Sequence, residues 1–331
     1  MTELVADNEL LAHADQPRMA QSAPIRIVPR WLHIWSILTV CAALPLLFLG
    51  AQVTTLGAGM VDQQSVREPW HLFTVSFSWE NFAYLIEHSH RFFGWLVGAC
   101  IIVLAVALWR SAPHSRIRWL GWFALFMVSA QGILGIVRVK YNPLAGTEFA
   151  LIHGLFAQLA FATLVSVAVV TSPSWQRGAA RAFVGLRGPA IFVALAVYGQ
   201  IVFGAVVRHL MDRTAQRLHV LFAFAVVAGV LWVFLRVRQR SSDGERGLLR
   251  FTWLMAGLVA IQVALGVEAW LNRFGAGMPA EVVPLTWGRI VVRTAHYLVG
   301  ALLFATSVAF TLWTCRPARA QVLATATEAA A

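Results

Sequence analysis

The chain has 331 residues, of which 59% are hydrophobic and only 12% charged, and it carries a net charge of +11. An average soluble domain has roughly 25% charged residues, so this balance excludes an ordinary soluble enzyme. The apolar residues fall in long blocks with the charges between them, so the positive charge belongs to loops at a membrane and not to a nucleic-acid interface.

Residues 1–30 come first. They hold Arg18, Arg26 and Arg30 together with Pro24 and Pro29, and no apolar stretch begins before Trp31. This pattern predicts a cytoplasmic tail and not a cleaved signal peptide. Eight apolar blocks follow, at about 32–53, 88–109, 118–137, 149–171, 189–207, 216–235, 251–272 and 290–314. Each is near the roughly 20 residues that cross a bilayer. Lipid leaves helices as the state that satisfies their backbone. The predicted fold class is all-α, a polytopic membrane protein of eight transmembrane helices arranged as two repeated four-helix bundles.

The loops set the orientation. Arg110, Arg116 and Arg118, then Arg177, Arg181 and Arg187, then Arg236, Arg238, Arg240, Arg246 and Arg250 follow even-numbered spans, and Arg316 and Arg319 follow the last. With the tail, 16 of the 26 Lys and Arg residues lie on one side and 10 on the other. The positive-inside tendency therefore places both termini in the cytoplasm, with the protein in the inner (plasma) membrane. Cys41, Cys100 and Cys315 fall in or at the end of spans and are expected to be buried small apolar residues.

A short pattern recurs in the odd spans. It reads Gln131-Gly-Ile-Leu-Gly135, Gln200-Ile-Val-Phe-Gly204 and Gln262-Val-Ala-Leu-Gly266, with a looser version, Gln52 and Gly57, in the first. Gln is costly in lipid, and a glycine four residues on permits close backbone approach. The repeat supports a duplication: a first bundle over 31–171, a cytoplasmic linker over 172–188, a second bundle over 189–315 and a C-terminal tail over 316–331.

Of the ten histidines, His13, His33, His71, His114 and His209 lie in tails, loops or at span ends and are assigned no chemistry. His90, His153, His219 and His296 each lie near the start of an even span. Even spans all enter from the outside, so these four rings share a depth in the outer leaflet. Buried ionisable residues in a membrane point to function. Four residues after each stands a small residue, Gly94, Ala157, Ala223 or Gly300, on the same helical face. A flat macrocycle held by the imidazole would need that space. Zinc favours tetrahedral ligands clustered close together, whereas single ligands on four helices suit two bis-imidazole haems. Arg217, Arg289 and Arg293 lie near His219 and His296, where they would meet haem propionates.

These residues resemble the haem A synthase family. Glu87-His-Ser-His90-Arg91 fits that family's Glu-x-x-His-Arg motif, Gln131 to Gly135 followed by His153 fits its next pattern, and His219 and His296 fall at the corresponding places of the second half. Gly57 to Asp62, ending Met60-Val61-Asp62, is similar to the mitochondrial-type branch. The likeness covers about residues 30–315. The chain departs from the pattern in having no cysteine pair in the first outer loop, in Thr54 and Thr55 where an arginine is usual, and in its own loop wording, Gln63 to Trp70.

The resemblance implies an oxidoreductase that converts a methyl group of the substrate haem O to a formyl group, giving haem A for terminal oxidases. It implies His90 and His153 as axial ligands of the substrate haem, and His219 and His296 as ligands of a resident haem b cofactor. Implied partners are membrane lipid, a haem O synthase and an electron donor, with no nucleic acid; a homo-oligomer stays open. Glu87 lies three residues before His90 on its face, as a candidate proton carrier or as the partner that orients the imidazole. The competing view of Glu87 is a water-exposed acid favoured by the helix N-terminus. His88 points about 200° around the helix from His90. Rival functions are a non-catalytic bis-histidine cytochrome b, a haem carrier or assembly factor, and a transporter.

Overall fold

A computed structural model describes residues 27–316 apart from 60, 62–63, 65–67, 69, 75–80, 146, 178–182, 184, 241–245 and 275–283. The predicted N-terminal tail, nearly all of the C-terminal tail, and Met60 and Asp62 of the family-like segment lie outside the described residues. Among those residues there is no strand, and eight helices are long and apolar enough to cross a membrane. They are α1 Arg30–Thr55, α2 Phe82–Ser111, α3 Ser115–Ala145, α4 Glu148–Thr171, α5 Arg187–Leu210, α6 Arg213–Arg240, α7 Arg246–Phe274 and α8 Trp287–Cys315. Two four-residue helical turns, His71–Thr74 and Pro173–Gln176, lie in connections.

The helices run beyond the apolar blocks that mark them. α2 starts at Phe82, six residues before the expected 88, because Asn81 caps it by accepting from the Tyr84 N–H at 3.1 Å. α6 and α8 begin in the same way. Asp212 Oδ1 accepts from Ala215 N–H at 2.6 Å, and Thr286 Oγ1 accepts from Arg289 N–H at 3.4 Å. Only two residues join α5 to α6, and the first, Met211, takes the left-handed conformation (φ 56°) that reverses the chain. The end of the molecule holding the N-termini of the even helices is called the upper end below.

Packing follows chain order. α1, α2, α3 and α4 each pack on the next, and α4 packs back on α1; α5, α6, α7 and α8 do the same. Two buried apolar clusters correspond. One is built mainly from α1 to α4, with Leu32, Ile101, Leu104, Leu108 and Val167 joined by Ala301 and Ala305 of α8; the other joins α5 to α8 through Val193, Val233, Met255 and Phe310 and takes in Ala162 of α4. α4 and α8 form the seam between them. In their apolar windows 56% and 50% of residues are buried, against 11–28% in the other six helices. The remaining helices present large side chains outward, among them Ile34, Phe126, Leu195 and Phe224. That much exposed apolar surface is a liability in water and the ordinary state in lipid.

The lower end is tied by polar contacts. Ser36 and Thr171 hydroxyls meet at 3.1 Å between α1 and α4. Arg316 donates to the Ser174 carbonyl at 2.5 Å and lies over the rings of Trp313 and Trp175. Two of the cysteines depart from expectation. Cys41 and Cys315 are exposed and Cys100 is partly so, because they sit on lipid-side helix faces; none is disulfide-bonded.

Candidate functional site

The four histidines sit in the upper part of α2, α4, α6 and α8, and each ring is held by the odd helix before it. Glycine is the means. A Cβ added at Gly50 of α1 would lie 2.9 Å from His90 Cε1, at Gly135 of α3 3.4 Å from His153 Cε1, at Gly204 of α5 2.9 Å from His219 Cε1, and at Gly266 of α7 3.1 Å from His296 Cε1. Every imidazole therefore brings its Cε1 edge close to bare helix backbone. Side chains in a helix lean back over the preceding turn, so a glycine also uncovers the carbonyl four residues earlier.

Two of the rings use that carbonyl. His90 Nδ1 donates to the Leu46 carbonyl at 3.0 Å, and His219 Nδ1 donates to the Gln200 carbonyl at 3.1 Å. An imidazole that gives its Nδ1 proton to a carbonyl offers Nε2 as a lone pair, the arrangement that orients metal-binding histidines. The other two rings use the glutamine side chain. The Gln131 amide donates to the His153 carbonyl at 3.1 Å and lies 3.2 Å from both ring nitrogens; the Gln262 amide lies 3.3 Å from His296 Nε2. His90 thus matches His219, and His153 matches His296.

This explains the glutamine–glycine repeat and corrects it in α1. The equivalent glycine there is Gly50, with Leu46 at the glutamine position. Gly57 has no atom within 4 Å of its added Cβ and a φ of +64°, so it serves the turn that ends α1. The Gln52 side-chain oxygen is buried without a hydrogen bond.

Around His90 and His153 lies a cavity of about 580 Å³. Its deep part is apolar, with Ala43, Leu47, Ile101, Phe161 and Leu164, and Gly94 and Ala157 line it as the spacing predicts. Glu87 also lines it, but not as an exposed acid at a helix N-terminus. It lies in the second turn of α2, is only 2% exposed, and accepts from Arg91 Nη2 at 2.6 Å. His88 is fully buried against Tyr84, its ring stacked at 5.5 Å and turned away from the His90 side.

Three further residues line the cavity: Arg208 belongs by sequence to the basic cluster near His219, whereas no sequence pattern points to Arg138 or His209. Arg138 lies on α3, Arg208 and His209 lie on α5, and all three reach the cavity around His90 and His153. Arg208 belongs near this site through α1, where Nη2 donates to the Ala51 carbonyl at 2.8 Å and to Thr55 Oγ1 at 2.9 Å. Tyr297, next to His296, lines the same cavity.

In the second half, the His219 and His296 rings stand 6.3 Å apart between centroids, at 78° to each other. Two metal–imidazole bonds of roughly 2 Å, with about 1 Å from nitrogen to ring centre on either side, bring two rings to about that separation. The pair therefore fits one iron of a bis-histidine haem. Among the described residues no three His, Cys, Asp or Glu side chains converge, so the ligands come in pairs. Of the three arginines expected here, Arg293 is partly buried, Arg289 is turned to the Pro284 carbonyl, and Arg217 is exposed, two residues and about 200° from His219.

Fold and site together define a multi-pass membrane protein with two pairs of partly buried histidines, each ring seated on a glycine. The chain matches the COX15-CtaA family of cytochrome oxidase assembly proteins over residues 9–165 and 72–217, and it belongs to that family. It is similar to a protein named haem A synthase from Alkalihalophilus pseudofirmus, 31% identical over 186 residues, covering 54% of this chain and 60% of the relative. The haem A synthase of Shouchella clausii is 32% identical over 129 residues, 38% of this chain and 42% of the relative. That of Halalkalibacterium halodurans is 27% identical over 248 residues, 67% of this chain and 77% of the relative. The match thus spans 60% or less of the length of the first two relatives.

Proposed function

We propose that this protein is a haem A synthase, an oxidoreductase that takes the porphyrin methyl group of haem O to a formyl group. One observation carries the proposal: two matched pairs of glycine-seated imidazoles, one pair opening on a 580 Å³ cavity that also holds a buried Glu87–Arg91 pair. In a plain two-haem cytochrome that carboxylate would serve only to pair with Arg91.

In this reading the chain is two four-helix repeats, 31–171 and 189–315. The first would take the substrate haem, held by His90 and His153; the second would hold haem b on His219 and His296. Haem b, when bound, would supply one-electron redox chemistry that side chains cannot. The chain's own residues do the rest. The Leu46 and Gln200 carbonyls fix His90 and His219 as the Nδ1–H tautomer, which directs Nε2 to the metal. Apolar walls at Leu47, Ile101 and Phe161 exclude water from the porphyrin face. Glu87 accepts a proton released as the methyl carbon is oxidised, and Arg91 keeps its carboxylate oriented. Both termini face the cytoplasm in the plasma membrane, with a haem O synthase and an electron donor as partners. The class is oxidation of a CH or CH3 group.

Haem analysis tests this directly. The protein is co-expressed with a source of haem O, purified, and its pigments are extracted and separated by mass. Haem O together with hydroxylated or formyl derivatives supports the enzyme. Haem b alone returns the protein to an electron-transfer cytochrome or haem carrier.

A further inference from the structure

We propose that Arg138 and Arg208 form a carboxylate-binding clamp at the upper end of the His90–His153 cavity, so that α5 of the second half completes the first-half site. The inference rests on the proposal that a porphyrin occupies that cavity, and it names the part of the molecule the arginines hold.

The charge around the cavity is unbalanced. Its charged lining residues are Glu87, Arg91, Arg138 and Arg208. Glu87 is the one acid, and Arg91 is bonded to it at 2.6 Å. Arg138 forms no hydrogen bond or ion pair among the described residues. Among the described residues Arg208 bonds only neutral groups, the Ala51 carbonyl and the Thr55 hydroxyl, with its guanidinium 5.4 Å from the centre of the Tyr297 ring. Among the described residues the acid that Arg138 feels is Glu87, which is already paired with Arg91. Two further guanidinium charges within a membrane-spanning bundle, facing one cavity that holds a single and already paired carboxylate, are expensive unless an anion joins them.

Both groups are held in place. Gly59 gives Arg138 its room, since a Cβ there would lie 2.8 Å from Arg138 Nη2. The two acceptors near the end of α1 and the Tyr297 ring fix Arg208. Thus α1 and the turn after it seat both arginines. Guanidinium is the group that meets carboxylate bidentately. The rest of the cavity is apolar toward Ala43, Leu47 and Leu164. The complementary molecule is amphipathic, with acid groups at one edge and an apolar body. A porphyrin so held has its acid edge up between α3 and α5.

The probes are ferric protoporphyrin IX and its dimethyl ester, which lacks the two charges and keeps the ring. Each is titrated into the purified full-length protein with its resident pigment in place, and binding is followed by difference absorbance. Wild type should bind the diacid roughly tenfold or more tightly than the diester. Arg138→Gln and Arg208→Gln should each weaken the diacid by roughly tenfold to a hundredfold. They should leave the diester and the axial-ligand spectrum unchanged. If either Gln variant fails to accumulate, Arg138→Lys and Arg208→Lys keep the charge, lose the fork, and should show the same preference at smaller size. His90→Ala should weaken both probes alike. Arginine variants that lose diacid and diester equally, or neither, overturn the clamp while leaving the haem site intact. Absence of porphyrin binding to wild type, or binding indifferent to His90, overturns the haem-site proposal and the clamp with it.

Discussion

Replacing Gly204 with alanine separates helix propensity from site geometry. In an exposed helix interior the change would stabilise by about 1 kcal/mol, since alanine is the better helix former. Here the new methyl lies 2.9 Å from His219 Cε1, where an ordinary contact is 3.4–4 Å, so ring or helix must move by at least half an ångström. Overpacking of that kind costs roughly 1–3 kcal/mol, so the propensity gain is offset. The ring is also tied to Gln200, so it cannot retreat without stretching the 3.1 Å bond that fixes its tautomer. Disturbing such a bond typically costs about 10- to 100-fold in metal affinity. The expected outcome is a protein that inserts normally but loses much of its haem b, measured as haem per polypeptide after purification. Gly266→Ala, with 3.1 Å to His296 Cε1, should lose less haem b; in the first half, where porphyrin binding to the cavity is the readout, Gly50→Ala, also 2.9 Å, should be severe and Gly135→Ala, with 3.4 Å, mild. Gly257, with nothing within 4 Å, is the control and should be neutral or slightly stabilised. Full haem b content and an unchanged spectrum in Gly204→Ala would refute the claim that this glycine seats the ligand.

Four further outcomes follow from the same structure. His219→Ala or His296→Ala should deplete haem b, whereas His90→Ala or His153→Ala should leave most of it and abolish product; equal loss from all four would end the division of labour between the halves. Glu87→Gln should keep haem b and stall the oxidation, with haem O or its hydroxylated form accumulating, and Glu87→Asp should be intermediate; full haem A output would make Glu87 a structural partner of Arg91 alone. Reporter fusions at Ser172 to Gln176 and Ser241 to Asp243 should report cytoplasm and those near Asn142 and Gly275 the outside, an inverted pattern placing the histidines at the inner face. Arg316→Ala should lower thermal stability by about 1–3 kcal/mol through its lost Trp313 and Ser174 contacts, with haem content unchanged; loss of haem instead would tie the lower end to the site.

Much of the architecture is legible because lipid imposes it. Backbone satisfaction and span length force eight helices from eight apolar blocks. The four histidines are visible for a related reason, since an ionisable ring inside a span needs a purpose. What periodicity does not show is where a helix stops once it leaves the apolar zone. Asn81 and Asp212 extend α2 and α6 by caps, and α3 and α5 continue past the expected ends at 137 and 207. Arg138 and Arg208 each fall one residue beyond those ends. Arg138, counted as loop charge, looks like a solvated cation, and Arg208 reads as one of the basic residues ahead of His219; as helix residues both face the cavity around His90 and His153.

The glutamine–glycine repeat shows a second kind of limit. Its spacing is plain in the sequence, but spacing alone names only close packing, because a glycine says that something approaches without saying what. The structure supplies the visitor, an imidazole from the next helix, and so the repeat and the histidines become one device. That also explains why α1 can lack the glutamine. His90 needs only the Leu46 carbonyl, and any residue has a carbonyl; what it cannot do without is Gly50 four residues on, which leaves that carbonyl uncovered. Gln200 satisfies both demands at once, its side chain donating to the His219 carbonyl while its own carbonyl accepts from the His219 ring. The glycine is therefore the invariant of the device within this chain, and the side chain four residues before it is free to differ wherever the carbonyl alone holds the ring.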